Sequence, residues 1–165
     1  YNHGLPRPVY WVLWLWQRLR GEVLVNDKRV LLTRHLNGYQ LLLRNVVVFN
    51  PLLSSEEAFI QRFRQQYHLH LKGMCGKWRI KCHLFDQHNG ALYPLLEGVG
   101  SESGPDEEMW RWIAHKARPT LSVRDERLYD GWQLSESLES NALVLYEFTP
   151  LVPREAATEE IHSPR

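Results

Sequence analysis

Cysteine is scarce in this chain, and its scarcity excludes a fold held together by many disulfides. The 165 residues include two cysteines, Cys75 and Cys82. Small secreted domains that rely on disulfides carry several cysteine pairs. With 44% apolar residues, the chain is instead able to bury a hydrophobic core of its own. We therefore expect an intracellular protein, in the cytoplasm or the nucleus.

Long apolar runs are missing as well. The strongest run, VYWVLWLW at residues 9–16, is shorter than the roughly 18 residues that a membrane-spanning helix needs. It follows no basic leader and precedes no small-residue cleavage site, so it does not match a secretory signal. The sequence therefore predicts no membrane span.

Motifs of nucleotide and metal chemistry are also absent. The sequence has no G-x-G-x-x-G fingerprint and no glycine-rich loop that ends in Gly-Lys-Ser/Thr. Four histidines and both cysteines fall within residues 68–88, but they form no C-x-x-C or H-x-x-x-H pair. Cys82 and His83 point to opposite faces of a predicted strand, so they do not bind one ion together. We predict neither a metal site nor a cofactor.

Charge is nearly balanced in total but is distributed unevenly. The formal net charge is +1. Residues 1–81 contain 13 basic and four acidic residues, whereas residues 82–165 contain seven basic and 15 acidic residues. Two interpretations stay open: the two halves face and neutralise each other, or the basic half forms an exposed surface.

Hydrophobic periodicity predicts one α+β domain with a mainly antiparallel sheet. We assign residues 9–149 to this domain. Residues 1–8, with two prolines and a glycine, are an irregular lead-in, and the polar residues 150–165 are a flexible tail. The order of elements combines an N-terminal meander, a later hairpin and two helices.

The meander is predicted in the first third of the chain. Residues 9–19 fit either a strand or a helix, and their aromatic and β-branched content favours a strand. Residues 23–25 and 30–32 form a hairpin pattern. Asn37-Gly38 is a strong signal for a second tight turn, and a long strand at residues 39–49 follows it.

Helices and the later hairpin follow in the rest of the chain. Residues 54–67 predict a helix, because Ser54 and Glu57 fit a capping box and an apolar stripe follows. The strand at 77–85 is expected to pair with a shorter strand at 92–96. A second helix begins near Pro105 and ends before Pro119, and a last strand covers 142–148.

The strand KWRIKCHLF at residues 77–85 has two different faces. Apolar residues occupy every second position, and cations occupy the positions between them. A basic sheet face near aromatic rings is able to hold phosphates while bases stack on the rings. The candidate nucleic-acid-binding residues are Arg62, Arg64, Lys72, Lys77, Arg79 and Lys81.

Tryptophan is abundant, with seven in the chain, and two of them are candidate protein contacts. Trp110 and Trp112 lie about 200° apart around a helix, so both cannot face one core. We expect Trp112 to point to solvent. Trp132 falls in a loop-like stretch and raises the same expectation. Exposed tryptophans are typical of protein interfaces.

Three functions follow from these patterns. The sequence favours a non-catalytic binding domain that acts as an adaptor or subunit of a larger protein assembly. The first alternative is an RNA- or DNA-binding domain that uses the basic residues 62–81. The second is a cysteine-dependent enzyme, for which Cys75, flanked by a glycine on a predicted loop, is the candidate nucleophile.

Overall fold

The computed structural model describes residues 4–48, 57–97 and 104–151, and two antiparallel sheets dominate these segments. The helices are α1 (Pro8–Gln17), α2 (Glu57–Gln61), α3 (Tyr93–Glu97) and α4 (Glu107–Lys116). The strands are β1 (Glu22–Asn26), β2 (Val30–His35), β3 (Gly38–Arg44), β4 (Gln65–Leu71), β5 (Gly76–Phe85), β6 (Thr120–Leu128), β7 (Trp132–Leu138) and β8 (Leu143–Pro150). None of the described helices is long and apolar enough to cross a membrane.

The large sheet has six strands in the order β1-β2-β3-β8-β5-β6, and β4 pairs with β7 in a small second sheet. The small sheet packs on one face of the large sheet, which we call the inner face. The main core lies between them and includes Tyr67 and Trp132 from the small sheet, and Leu41, Ile80 and Phe148 from the large sheet. Because strand residues alternate between faces, these large-sheet positions are separated by residues that point the other way.

Helix α1 covers part of the opposite, outer face of the large sheet. Trp11 and Leu15, four residues apart, are buried against Leu42 and Leu145 of the sheet. Proline at the first helical position favours a helix start, since its fixed φ suits the helix and its missing N–H needs no partner there. The strand predicted for residues 9–19 is therefore wrong. The pattern was ambiguous because this segment is apolar on all sides.

Other predictions are confirmed by the structure. The fold class is α+β with a mainly antiparallel sheet, and β1, β2 and β3 form the N-terminal meander. β5 (Gly76–Phe85) matches the strand predicted for residues 77–85. α4 begins after Asp106, whose side chain accepts a hydrogen bond from the backbone N–H of Met109. This cap and the acids in the first turn stabilise the helix start.

Three element predictions need correction. The described part of the helix predicted for residues 54–67 is limited to α2, and Tyr67 lies on β4; Ser54 is outside the described residues. Residues 93–97 form α3, so β5 pairs with β6 and β8 instead of a strand at 92–96. The described segments thus contain four helices, two of them five residues long. Most of the predicted tail, from residue 152 onwards, and residues 1–3 of the lead-in also lie outside the described residues.

Candidate binding surfaces

The six predicted nucleic-acid-binding residues lie in three separate places. Lys77, Arg79 and Lys81 follow one another along the outer face of β5. Arg62 and Arg64 line a cavity at one end of the sandwich, and Lys72 borders a cleft between the sheets. The sequence window 62–81 therefore does not form one continuous basic surface, because the chain turns between β4 and β5.

The outer face of β5 has the predicted cations on one side and core residues on the other. Lys77 and Arg79 are exposed, whereas Trp78 and Ile80 between them are buried. Arg79 donates two hydrogen bonds to the Asp125 carboxylate, at 2.8 Å and 3.1 Å. This bond to Arg79 lowers the pKa of Asp125. Asp125, from the acidic half of the sequence, therefore pairs with Arg79 and also attracts Lys77. Lys77 stands opposite Arg127 in the register, and Lys81 stands opposite Glu147.

Lys81 borders a polar cavity of about 390 Å³ beside the end of α1. Its central group is Glu147, which accepts hydrogen bonds from Arg18 at 2.7 Å, Gln40 at 3.2 Å and His83 at 3.1 Å. Burial opposes the charge of Glu147, but the bonds from His83 and Arg18 outweigh it and lower its pKa to about 2. Glu147 is thus an ionised structural carboxylate that joins α1 to the sheet.

A second cavity, of about 420 Å³, lies where the β1–β2 turn, the end of β3 and the start of β4 meet. We call it the basic cavity, because its lining contains five cationic side chains: Lys28, Arg29, Arg44, Arg62 and Arg64. None of the ten described residues that line it is acidic. Two of the five, Arg62 and Arg64, are among the six candidate nucleic-acid-binding residues, and the fold brings Lys28, Arg29 and Arg44 to them from other segments.

An apolar cleft of about 430 Å³ opens between β1–β3 and β4. Its walls include Val30 and Leu32 on β2 and Leu69 and Leu71 on β4, with Lys72 at the border. The cleft exists because the small sheet has two strands and the large sheet has six. The inner side of β2 is therefore left partly uncovered.

The two candidate tryptophans have opposite environments. Trp112 is 50% exposed on α4, as its helical spacing predicts. Trp132 is 1% exposed and begins β7, with its ring 5.0 Å from Tyr146 and 4.9 Å from Phe148 between centroids. The expectation that Trp132 lies in an exposed loop is therefore wrong. The alternation of Trp132, Leu134 and Leu138 with polar residues was the sequence signal for this buried strand.

Helix α1 presents a further apolar surface that the sequence interpretation missed. Val9, Leu13 and Trp16 are 60%, 55% and 46% exposed. Their spacing of four and three residues places them on one side of the helix. We call these three side chains the α1 stripe. Trp11 and Leu15 occupy the side that is buried against the sheet, so Val9 and Leu13 point away from it. The Trp16 ring lies near the Arg44 guanidinium at the end of β3.

Cys75 is exposed, and its thiol donates a hydrogen bond to the Tyr129 carbonyl at 3.1 Å. The contacts found for the described residues do not pair Cys75 with a histidine. Cys82 is partly buried, and burial raises the pKa of its thiol, which opposes thiolate formation. Across residues 4–48, 57–97 and 104–151, no cluster of His, Cys, Asp or Glu has a metal-binding arrangement.

Comparisons with known proteins show two kinds of similarity, one in sequence and one in fold. No family model matches the chain. It is 28% identical over 142 residues to uncharacterized HTH-type transcriptional regulators from three strains of Staphylococcus aureus. The match covers 86% of this chain and 19% of each regulator, so the chain spans about a fifth of their length.

Solved structures with a similar fold include a GH39 enzyme and a beta-xylosidase. A GH39 enzyme from Xanthomonas axonopodis pv. citri superposes with a TM-score of 0.72 at 13% identity, over 90% of this chain and 31% of that one. A monomeric beta-xylosidase from Caulobacter crescentus has a TM-score of 0.69 at 14% identity, over 91% of this chain and 32% of its own. The chain therefore has the fold of a segment that makes up about a third of these enzymes.

Proposed function

We propose that this chain is a non-catalytic sandwich domain that packs against another domain of a larger protein. The observation that carries the proposal is the α1 stripe, which exposes Val9, Leu13 and Trp16 side by side. Burying one such side chain contributes roughly 1.5–3 kcal/mol, so a contact that covers all three is worth several kilocalories per mole before ordering costs.

The occupant that we assign to the α1 stripe is a neighbouring domain of the same polypeptide. The similar regulators and enzymes are much longer than this chain. About four fifths of a regulator and about seven tenths of the GH39 enzyme lie outside the match. Trp112 on α4 is a second exposed aromatic side chain and stays a candidate contact.

We also infer an intracellular location, because the curated relatives are named as transcriptional regulators.

The helices of this chain are poor candidates for the DNA-reading part of a regulator. A helix-turn-helix joins two helices by a turn of three or four residues. In the described residues α1 and α2 are separated by three strands, and residues 98–106 separate α3 from α4. The regulator comparison therefore supports an accessory role in a DNA-binding protein better than direct DNA recognition by these helices.

Thiol labelling of α1 tests the docking proposal. In a Cys75→Ser background, we would introduce Leu13→Cys in the stripe and, as a matched control, Gln133→Cys at an exposed position of β7. Maleimide should react quickly with both sites in the isolated chain. In the complete gene product, labelling at position 13 should slow at least tenfold while labelling at position 133 does not change. Equal rates at position 13 in both proteins would contradict the proposal.

A second candidate function is nucleic-acid binding through the outer face of β5. The specific observation in its favour is the exposed pair Lys77 and Arg127, which face each other on neighbouring strands. Like charges in register repel, and a phosphate between them relieves the repulsion. A salt titration with single- and double-stranded DNA tests this function, because binding to phosphates weakens as salt rises.

A further inference from the structure

We propose that the basic cavity binds a phosphate group of a small anionic ligand. The cavity and the α1 stripe are lined by different side chains, and they meet where Arg44 of the cavity lies against Trp16 of the stripe. The charge argument below does not use the docking proposal. Its volume of about 420 Å³ falls within the usual range for small-molecule sites, roughly 300–1,000 Å³. The charge of its lining decides which chemistry it is able to hold.

Five cations converge in the basic cavity from three segments of the chain. Lys28 and Arg29 come from the β1–β2 turn, Arg44 from the end of β3, and Arg62 and Arg64 from the connection between α2 and β4. Bringing like charges together raises the free energy of the folded state. An anion in the cavity removes that penalty, and its binding energy rises with each cation that it contacts.

Four of these five cations form no ion pair with a described carboxylate. Arg64 forms an ion pair with Glu139 at 3.1 Å. The side chains of Lys28, Arg29 and Arg62 have no hydrogen bond or ion pair with any described residue. The Asp27 carboxylate accepts the backbone N–H groups of Arg29 and Val30, and its charge also attracts Arg44 and Arg29, so it offsets part of the positive charge.

Arg44 is held in position before any ligand arrives. Its Nε donates to the Lys28 carbonyl at 3.0 Å, and a terminal nitrogen donates to the Asp27 carbonyl. Its guanidinium also lies 5.5 Å from the centre of the Trp16 ring. A side chain fixed in this way loses little conformational entropy on binding, which favours affinity.

Asn45 fixes the wall of the basic cavity. Its amide nitrogen donates to the backbone carbonyls of Phe63, Leu138 and Glu139, at 2.7 Å, 3.2 Å and 2.9 Å. The hydroxyl of Tyr67 donates to the Arg44 carbonyl at 2.8 Å. These bonds tie the end of β3 to the start of β4, so the two groups of arginines keep a fixed separation.

Phosphate is the anion that this set of donors suits best. A guanidinium presents parallel N–H groups that match phosphate oxygens, and lysine adds a point charge. A single carboxylate uses one or two of five cations, whereas a phosphomonoester or a diphosphate offers more charge and more acceptors. The phosphate belongs either to a small molecule or to a nucleic-acid backbone, and the limited volume of the cavity, about 420 Å³, favours a small molecule.

Calorimetric titration of the 165-residue chain with inorganic pyrophosphate at low salt tests the proposal. We expect saturable binding at one site and a rise in the thermal unfolding midpoint. Arg62→Gln and Arg29→Gln should each weaken binding at least tenfold. Lys77→Gln removes the same charge from the distant outer face and should leave binding within twofold. Circular dichroism of each variant checks that it is folded.

Two results would overturn the proposal: no saturable binding to the folded wild-type chain, or equal weakening by Lys77→Gln and Arg62→Gln, which indicates general charge attraction. A competition arm identifies the source of the phosphate. If a short single-stranded DNA displaces pyrophosphate and loses affinity in Arg62→Gln, the cavity binds backbone phosphate as well. If the DNA does not compete, the cavity is specific for small phosphorylated ligands.

Discussion

Arg18 at the end of α1 and Glu147 on β8 form an ion pair of 2.7 Å that fastens the helix to the outer face of the sheet. Glu147 also accepts a hydrogen bond from the buried His83. The carboxylate thus connects three elements: α1, β5 and β8. Because the α1 stripe is displayed on the same helix, the orientation of the proposed docking surface depends on this contact.

Replacing Glu147 should loosen that attachment. Glu147→Gln removes the charge but keeps the shape, and it weakens hydrogen bonds to Arg18 and His83 together. We expect the free energy of unfolding to fall by about 1–3 kcal/mol, the usual cost when a partly buried charged hydrogen bond is lost. Urea unfolding measures this change. Glu22→Gln breaks the exposed Arg34–Glu22 pair and should have a much smaller effect, because solvent screens this pair. Equal effects would contradict the role assigned to Glu147.

Stability should decrease in acid through the same carboxylate. The pKa of Glu147 is lowered in the folded state from 4.5 to about 2. A group with a lowered folded pKa stabilises the protein fully above its unfolded pKa, and this contribution disappears as pH falls towards the folded value. Unfolding free energy should therefore drop between about pH 5 and pH 2. The drop should be smaller in Glu147→Gln, and an identical pH profile for both proteins would contradict the assignment.

The two candidate tryptophans should differ in their effect on stability. Trp132→Ala empties a site between Tyr146 and Phe148 and should destabilise the domain by about 3–5 kcal/mol. Trp112→Ala removes an exposed ring and should change stability by less than about 1 kcal/mol. Thermal or urea unfolding of the two variants measures both values. A stable Trp132→Ala protein would show that this ring is not part of the core.

Nucleic-acid binding, if it uses the outer face of β5, should depend on Lys77 more than on Arg79. Lys77→Gln should reduce the slope of log K against log salt by about one, because one phosphate contact is lost. Arg79→Gln should have a smaller effect, since Asp125 already neutralises Arg79. Lys116→Gln on α4 is the charge-matched control. If low-salt titration shows no binding by the wild-type chain, this function is excluded.

Predictions from the sequence were accurate for elements with one buried side and one solvent-exposed side. β5 is such a strand, because Trp78 and Ile80 are buried while Lys77 and Arg79 are exposed. The prediction failed at α1, where residues 8–17 are apolar around the whole helix. It also missed β6, because an edge strand that is exposed along most of its length needs no apolar alternation. Local pattern carries little information in both cases.

The candidate sites were less predictable than the fold. Proximity in sequence suggested that Arg64, Lys72 and Lys77 share a surface, but the β4–β5 turn sends their side chains to different places. The basic cavity instead gathers Arg29 and Arg62 from segments 33 positions apart. Such a constellation depends on strand order and on contacts such as those of Asn45, and these are properties of the tertiary structure.

The two edge strands of the six-stranded sheet, β6 and β1, differ in how they are protected from pairing with another chain. At one edge β6 carries Arg124, Asp125, Glu126 and Arg127 in succession, and a strand with this many charges resists pairing with a foreign strand. At the other edge β1 reads EVLVN, with exposed Val23, Leu24 and Val25 and a register irregularity between Val23 and Val25. Within the described segments, the bulge protects this edge, because it interrupts the hydrogen-bonding ladder. A change that straightens β1 would therefore expose this domain to edge-to-edge aggregation on that side and not on the other.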